Sequence, residues 1–126
     1  MRRLTLAMAV TLAMTPLAAA QAQDATAGAR VFNTCRACHT INEGGRAGVG
    51  PNLWGIVGRR AASVEGFRYS ANFRTLGEAG HIWTEENIRR YITNPKDVAP
   101  QGIMAYPGLR NEQQMNDLMA YLNAQR

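Results

Sequence analysis

The sequence is poor in the side chains that build a large core. Its 126 residues hold three Phe, four Tyr and two Trp against twelve Gly, so a single domain of this length buries only ~60–70% of its unfolded surface and has little bulk to do it with. Cysteine occurs twice, which rules out a multiply bridged secreted scaffold. Structural zinc needs about four ligands, and the chain offers two Cys and two His, with His81 far downstream of His39. No segment carries a strand signal of any strength, so the βαβ setting of a thioredoxin-like cysteine pair is missing. There is no internal repeat, no low-complexity stretch, and no basic stripe with interleaved aromatics of the kind that binds nucleic acid. The longest apolar run, Leu4 to Leu17, is shorter than the ~20 residues a membrane-spanning helix needs.

That run has its own meaning. It follows Met1-Arg2-Arg3 and leads into Ala18-Ala19-Ala20-Gln21-Ala22. A basic start, a short apolar segment and an A-x-A ending describe a secretory signal peptide, residues 1–22, cleaved after Ala22 or after Ala20; an uncleaved anchor is the competing reading. Export places residues 23–126 in the periplasm, with no stable membrane insertion once cleavage has occurred. Losing Arg2 and Arg3 lowers the 14 basic residues by two against the same 9 acidic ones, so the net charge falls from +5 to +3. The remaining positive balance is mild and compatible with steering toward acidic partners.

Against this sparse background one stretch stands out: Cys35-Arg36-Ala37-Cys38-His39. Two thiols three positions apart, followed at once by an imidazole, form the spacing of c-type haem attachment. On one helical turn, residues i and i+3 share a face. Both sulfurs can then bond the vinyl groups on one porphyrin edge, and His39 is carried under the ring centre. The alternatives are a reversible disulfide and half of a zinc site. A planar apolar cofactor would also supply the core that the side chains lack, making folding and cofactor binding one event.

Hydrophobic periodicity gives four to five helices and an all-α fold. Residues 24–38 read as a helix capped by Asp24 or Thr26, with Ala27, Val31, Phe32 and Cys35 on one face. Residues 40–60 are a glycine-rich loop of the kind that wraps something. Ser70 to Arg74 make a short helix ended by Gly77. Thr84, followed by Glu85 and Glu86, starts a helix over 84–94 that Asn94-Pro95 stops. Residues 95–110 are a proline-punctuated loop. Asn111 caps a last helix over 111–125, with Met115, Leu118, Met119 and Leu122 on its buried face.

A haem held by His39 needs a group on its other face. Met115 and Met119 lie on the apolar face of the last helix, where packing is the simpler role. His81 sits in loop-like sequence between Gly80 and Trp83 and reads more readily as a solvated histidine than as a ligand. Met104 alone lies in a loop, stiffened by Pro100 and Pro107. Thioether sulfur favours ferrous iron, so His/Met ligation raises the reduction potential. With both axial positions filled by protein, iron exchanges an electron and does not bind substrate.

These residues, together with Gly50-Pro51-Asn52-Leu53, Gly58-Arg59, Tyr69-Ser70-Ala71-Asn72, Trp83, Tyr91, Asn94-Pro95 and Tyr121-Leu122, are similar to those of the class I cytochromes c, mitochondrial and bacterial cytochrome c2 type. The resemblance spans residues 23–126. It implies a small all-α fold with long Gly/Pro loops wrapped around one haem c, attached through Cys35 and Cys38, with His39 and Met104 as axial ligands. It further implies that the Pro51 carbonyl accepts the His39 ring N–H, that Arg59, Tyr69 and Trp83 hold the haem propionates, and that Asn72 and Tyr91 belong to the polar network beside the Met104 sulfur. Gly28 and Phe32 would meet Leu118 and Tyr121 where the first and last helices cross.

Departures from that pattern bear on partners. Gly102 and Ile103 stand where Thr and Lys are usual before the methionine. Thr34 stands where a lysine is common, Tyr106 stands where Phe is usual, and Lys96 is the only lysine. The basic docking ring is therefore thinned. The resemblance implies no enzyme but a monomeric, soluble periplasmic carrier of single electrons. Its partners would be redox proteins with acidic docking surfaces, such as a membrane oxidoreductase, an oxidase, a reaction centre or a dehydrogenase. The thinned ring motivates a narrower alternative, a dedicated electron-acceptor subunit of one periplasmic dehydrogenase. Ligand sensing or peroxidase-like chemistry would need Met104 to be displaced, and a loose loop around Gly102 would permit that.

Overall fold

The described part of the chain in this computed structural model is residues 23–126. The signal-peptide reading of residues 1–22 lies outside it. The Asp24 carboxylate accepts the N–H groups of Thr26 at 2.8 Å and Ala27 at 3.1 Å and so opens α1, Ala25–Phe32. Sequence periodicity predicts a helix to residue 38, but α1 stops at Phe32. The cause is local: the Thr34 hydroxyl donates to the Val31 carbonyl at 3.0 Å, and the Cys35 N–H bonds back only three residues, to Phe32. A side chain competing for a helical carbonyl and a tightened turn together end the helix.

Four further helices follow. They are α2 (Ala71–Glu78), α3 (Glu85–Thr93), α4 (Pro95–Val98) and α5 (Glu112–Asn123). Ser70, Thr84 and Asn111 cap α2, α3 and α5 by accepting the N–H groups of Phe73, Asn87 and Gln114. Two expectations need correction. Gly77 does not end α2, which continues through Glu78; the reversal comes at Gly80, whose φ is +81°. Gly77 is there for space, since a Cβ on it would lie 2.5 Å from the Ala61 carbonyl oxygen. The segment after Asn94 is not all loop either. Pro95 stops α3 but then occupies the first position of α4, where its missing N–H costs nothing.

The first and last helices cross at Gly28. A Cβ at this position would sit 1.9 Å from the Asp117 carbonyl oxygen and 2.7 Å from the Tyr121 Cβ, so only glycine allows the approach. Phe32 packs its ring 5.3 Å from that of Tyr121, and Arg36 lies over Phe32 while its guanidinium donates to the Tyr121 hydroxyl. The buried Asp117 carboxylate accepts the Asp24 backbone N–H at 3.0 Å and the Gln113 amide at 2.9 Å, tying the start of α1 to α5. Met115, Leu118, Met119 and Leu122 face inward from α5 onto Phe32, Ile88 and Leu109.

Between these helices the 40–60 region is loop, as its glycines predict. Among the described residues there is no extended strand pairing, only an isolated antiparallel bridge between Arg60 and Ile82. Around it the Trp83 N–H donates to the Arg59 carbonyl and the Gly58 N–H to the Trp83 carbonyl, both at 2.8 Å. This clip fixes Arg59 beside Trp83. No helix among the described residues is long and apolar enough to cross a membrane.

Candidate functional site

The cysteine segment forms one isolated helical turn: the His39 N–H bonds to the Cys35 carbonyl at 2.9 Å. Cys35 is half-buried, Cys38 is exposed, and no disulfide joins them. Burial pushes the Cys35 thiol above its ordinary value, with Cys38 adding to the shift and Thr34 opposing it. A redox-active thiol pair needs the opposite shift.

His39 is seated by glycines. A Cβ on Gly50 would fall 2.3 Å from the imidazole Cε1, and the Gly50 N–H holds the Cys38 carbonyl at 2.9 Å. The His39 Nδ1 lies 2.8 Å from the Pro51 carbonyl oxygen. A carbonyl only accepts, so Nδ1 carries the proton and Nε2 keeps its lone pair for a metal. Burial also lowers the His39 pKa, partly offset by the Pro51 bond, which favours the neutral ring that coordinates. The loop is organised by Asn52, a residue whose role was not legible in the sequence. Its buried amide donates to Thr40 Oγ1 and the Asn42 carbonyl, and its side-chain oxygen accepts the Trp54 N–H.

The segments around α2 and α3 bring together an aromatic run. Phe73 lies 6.5 Å from Tyr69, 6.1 Å from Trp83 and 5.6 Å from Tyr91, and Trp83 lies 5.1 Å from Tyr91. Phe73 was not singled out by sequence; it becomes visible only when α2 and α3 are brought together. His81 does not project freely into solvent. Its ring packs edge-on against Trp83 at 4.9 Å, and its Nε2 is buried without a hydrogen-bond partner.

Arg59 carries a half-buried guanidinium whose only acceptors among the described residues are the Trp54 and Asn52 carbonyls, each at 3.0 Å. Burial lowers its pKa, and Tyr69 opposes that shift. Tyr69 accepts the Val64 N–H at 3.1 Å, which leaves its hydroxyl proton to give. The Trp83 side chain is 7% exposed. A half-buried cation with no carboxylate beside it among the described residues, next to two unspent donors, fits an anionic group such as a propionate.

Met104 lies in the loop after α4. The Tyr91 hydroxyl donates to its sulfur at 3.5 Å. Burial pushes the Tyr91 phenol up to about 12, so it stays protonated and able to donate. Asn72 bonds the loop backbone rather than the sulfur: its side-chain oxygen accepts the Gln101 N–H at 3.0 Å. Met115 and Met119 are fully engaged in the core.

Taken together, these residues fit a protein that would carry a porphyrin on its two thiols, with a neutral histidine beside them and donors for its anionic substituents. Comparison with known proteins agrees. The family model for cytochrome c matches residues 25–125. The chain is 42% identical to cytochrome c-554 of Methylosinus trichosporium over 120 residues, covering 95% of this chain and 89% of that one. It is 41% identical to cytochrome c2 of Blastochloris viridis over 122 residues, covering 97% and 92%. Among solved structures, cytochrome cH from Methylobacterium extorquens superposes with a TM-score of 0.72 at 31% identity, over 80% of this chain and 98% of that one. The chain belongs to the cytochrome c family, whose members are electron carriers, and its haem c is attached through Cys35 and Cys38.

Proposed function

We propose that the protein is a periplasmic carrier of single electrons, exported by residues 1–22 and working as the folded domain 23–126. When bound, the haem supplies a one-electron couple at its iron. His39 Nε2 and the Met104 thioether would close the two axial positions, so that the site changes charge without binding substrate. Arg59, Tyr69 and Trp83 would hold the propionates.

The observation that carries this reading is the Tyr91–Met104 contact, in which a phenol donates to a loop thioether that lies outside the apolar core. The test is the optical spectrum of the exported holoprotein. A ferric sulfur-to-iron charge-transfer band that vanishes in Met104→Ala, with no cyanide binding by the parent, is the expected result. An unchanged spectrum in Met104→Ala would remove the closed-site reading.

A second reading rests on one observation. Ile103, beside Met104 and at a position where the family resemblance leads one to expect lysine, is 73% exposed. An apolar group at the rim suits a single dedicated partner, such as a dehydrogenase that uses this chain as its electron acceptor, better than a set of acidic partners. The salt dependence of electron transfer with isolated partners separates the two, since charge-steered encounters slow as salt rises.

A further inference from the structure

Lys96, the only lysine in the chain, is not a free surface group. Its ammonium donates to the Gly102 carbonyl at 2.6 Å. One residue earlier, the Gln101 N–H is held by Asn72 from α2. Two successive residues of the methionine loop are thus staked by side chains from two different helices. The loop also has no slack beneath it. A Cβ on Gly102 would lie 3.0 Å from the Ala99 Cβ and 3.4 Å from the Phe73 ring, and the Gly102 N–H bonds to Ala99 at 2.9 Å. Beyond Gly102 the chain has no backbone–backbone hydrogen bond until the Leu109 N–H reaches Ile92. Ile103, mostly exposed, anchors nothing. The Lys96 bond is therefore the last hold on the main chain before Met104.

Lys96 is itself well founded. It sits on α4, which follows α3 directly. Asn94 donates to the Asp97 carboxylate at 2.8 Å, and Arg90 of α3 donates to the Asp97 carbonyl at 3.3 Å. Since Tyr91 of α3 meets the Met104 sulfur, α3 governs the thioether twice: directly through Tyr91, and through α4 and Lys96 by way of the loop. We propose that Lys96 is a positioning residue for Met104, its ammonium holding closed the loop that presents the thioether. The proposal rests on Met104 being the sixth ligand.

The test uses ferric holoprotein and imidazole, a small neutral ligand that competes only when the thioether lets go. Lys96→Met keeps the stem and removes the donor. Imidazole should then bind about three- to tenfold more tightly, the range left to a charge-assisted bond after solvent screening. Lys96→Arg, which still donates, should stay within about twofold of the parent. Asn111→Ala, which removes the α5 cap at the Gln114 N–H and touches neither α3 nor the methionine loop, should lower the urea midpoint yet leave imidazole affinity unchanged, so that general destabilisation is told apart from loop release. Lys96→Met binding imidazole as the parent does would overturn the proposal while the ligand assignment stands. Met104→Ala with an unaltered ferric spectrum would overturn the ligand assignment and this proposal with it.

Discussion

The Tyr91 hydroxyl points its proton at the Met104 sulfur across 3.5 Å. With the thioether as the proposed iron ligand, a donor at that position withdraws electron density from it and so favours the ferrous state. Tyr91→Phe should lower the reduction potential. A weak bond to sulfur is worth less than ~1 kcal/mol, which for one electron is roughly 20–40 mV. Direct electrochemistry of parent and variant decides it, and an unchanged or higher potential would refute the argument.

Gly28 makes two tendencies compete. Alanine is favoured over glycine inside a helix by ~1 kcal/mol. Here the added methyl would meet the Asp117 carbonyl oxygen at 1.9 Å, and that atom belongs to backbone that cannot step aside. Overpacking of this kind costs ~1–3 kcal/mol or more. Gly28→Ala should therefore destabilise the holoprotein, read as a lower urea midpoint with an unchanged m-value. A rise in midpoint would show that α1 and α5 part easily.

The contrast between what could and could not be read from the chain follows from distance along it. Caps such as Thr84 and Asn111 act on residues three positions away, so α3 and α5 were legible, as was the spacing of Cys35, Cys38 and His39. The end of α1 was misplaced because the Thr34 hydroxyl, which captures the Val31 carbonyl, leaves the apolar periodicity intact. Gly77 was read as a stop because glycine commonly is one, while its real constraint, the Ala61 carbonyl, comes from another segment. Arg59, Tyr69 and Trp83 were reached only through family resemblance. Their common feature, donors lacking an anionic partner, appears only once the Arg60–Ile82 bridge places Arg59 beside Trp83. Asn52 and Lys96 were missed because a polar residue's acceptor leaves no periodic trace.

His81 gives a pH dependence. Burial lowers its pKa from the ordinary 6.5, and the nearby Arg90 charge lowers it further. The unfolded chain then takes up a proton before the folded one does. Stability from this group is complete above the unfolded value and falls as pH drops below ~6.5 toward the depressed folded value. Because the ring is only partly buried, the slope should be well under the ~1.4 kcal/mol per pH unit of a fully excluded proton. Between pH ~7 and pH ~5, the parent should lose more stability than His81→Gln, with His39 and the carboxylates common to both. Equal losses would show that His81 titrates alike in both states.

Ile103 and Val49 are 73% and 75% exposed, far more than an apolar side chain gains by. Val49 precedes Gly50 and Pro51, which contact His39, and Ile103 precedes Met104, so each adjoins a residue proposed to ligate the iron or its contacts. If electrons leave through this rim, its charge sets the approach of a charged reactant. Ile103→Lys should speed reduction of ferricyanide by the ferrous protein about two- to threefold at ~10 mM salt, where fields reach ~30 Å, and have no effect near 1 M, where they reach ~3 Å. Stopped-flow kinetics across these salt levels measures this. At ~10 mM a charge anywhere on so small a domain is felt, so the deciding level is ~100 mM, where fields reach ~10 Å. Lack of a difference between parent and variant there would locate the exit elsewhere on the surface.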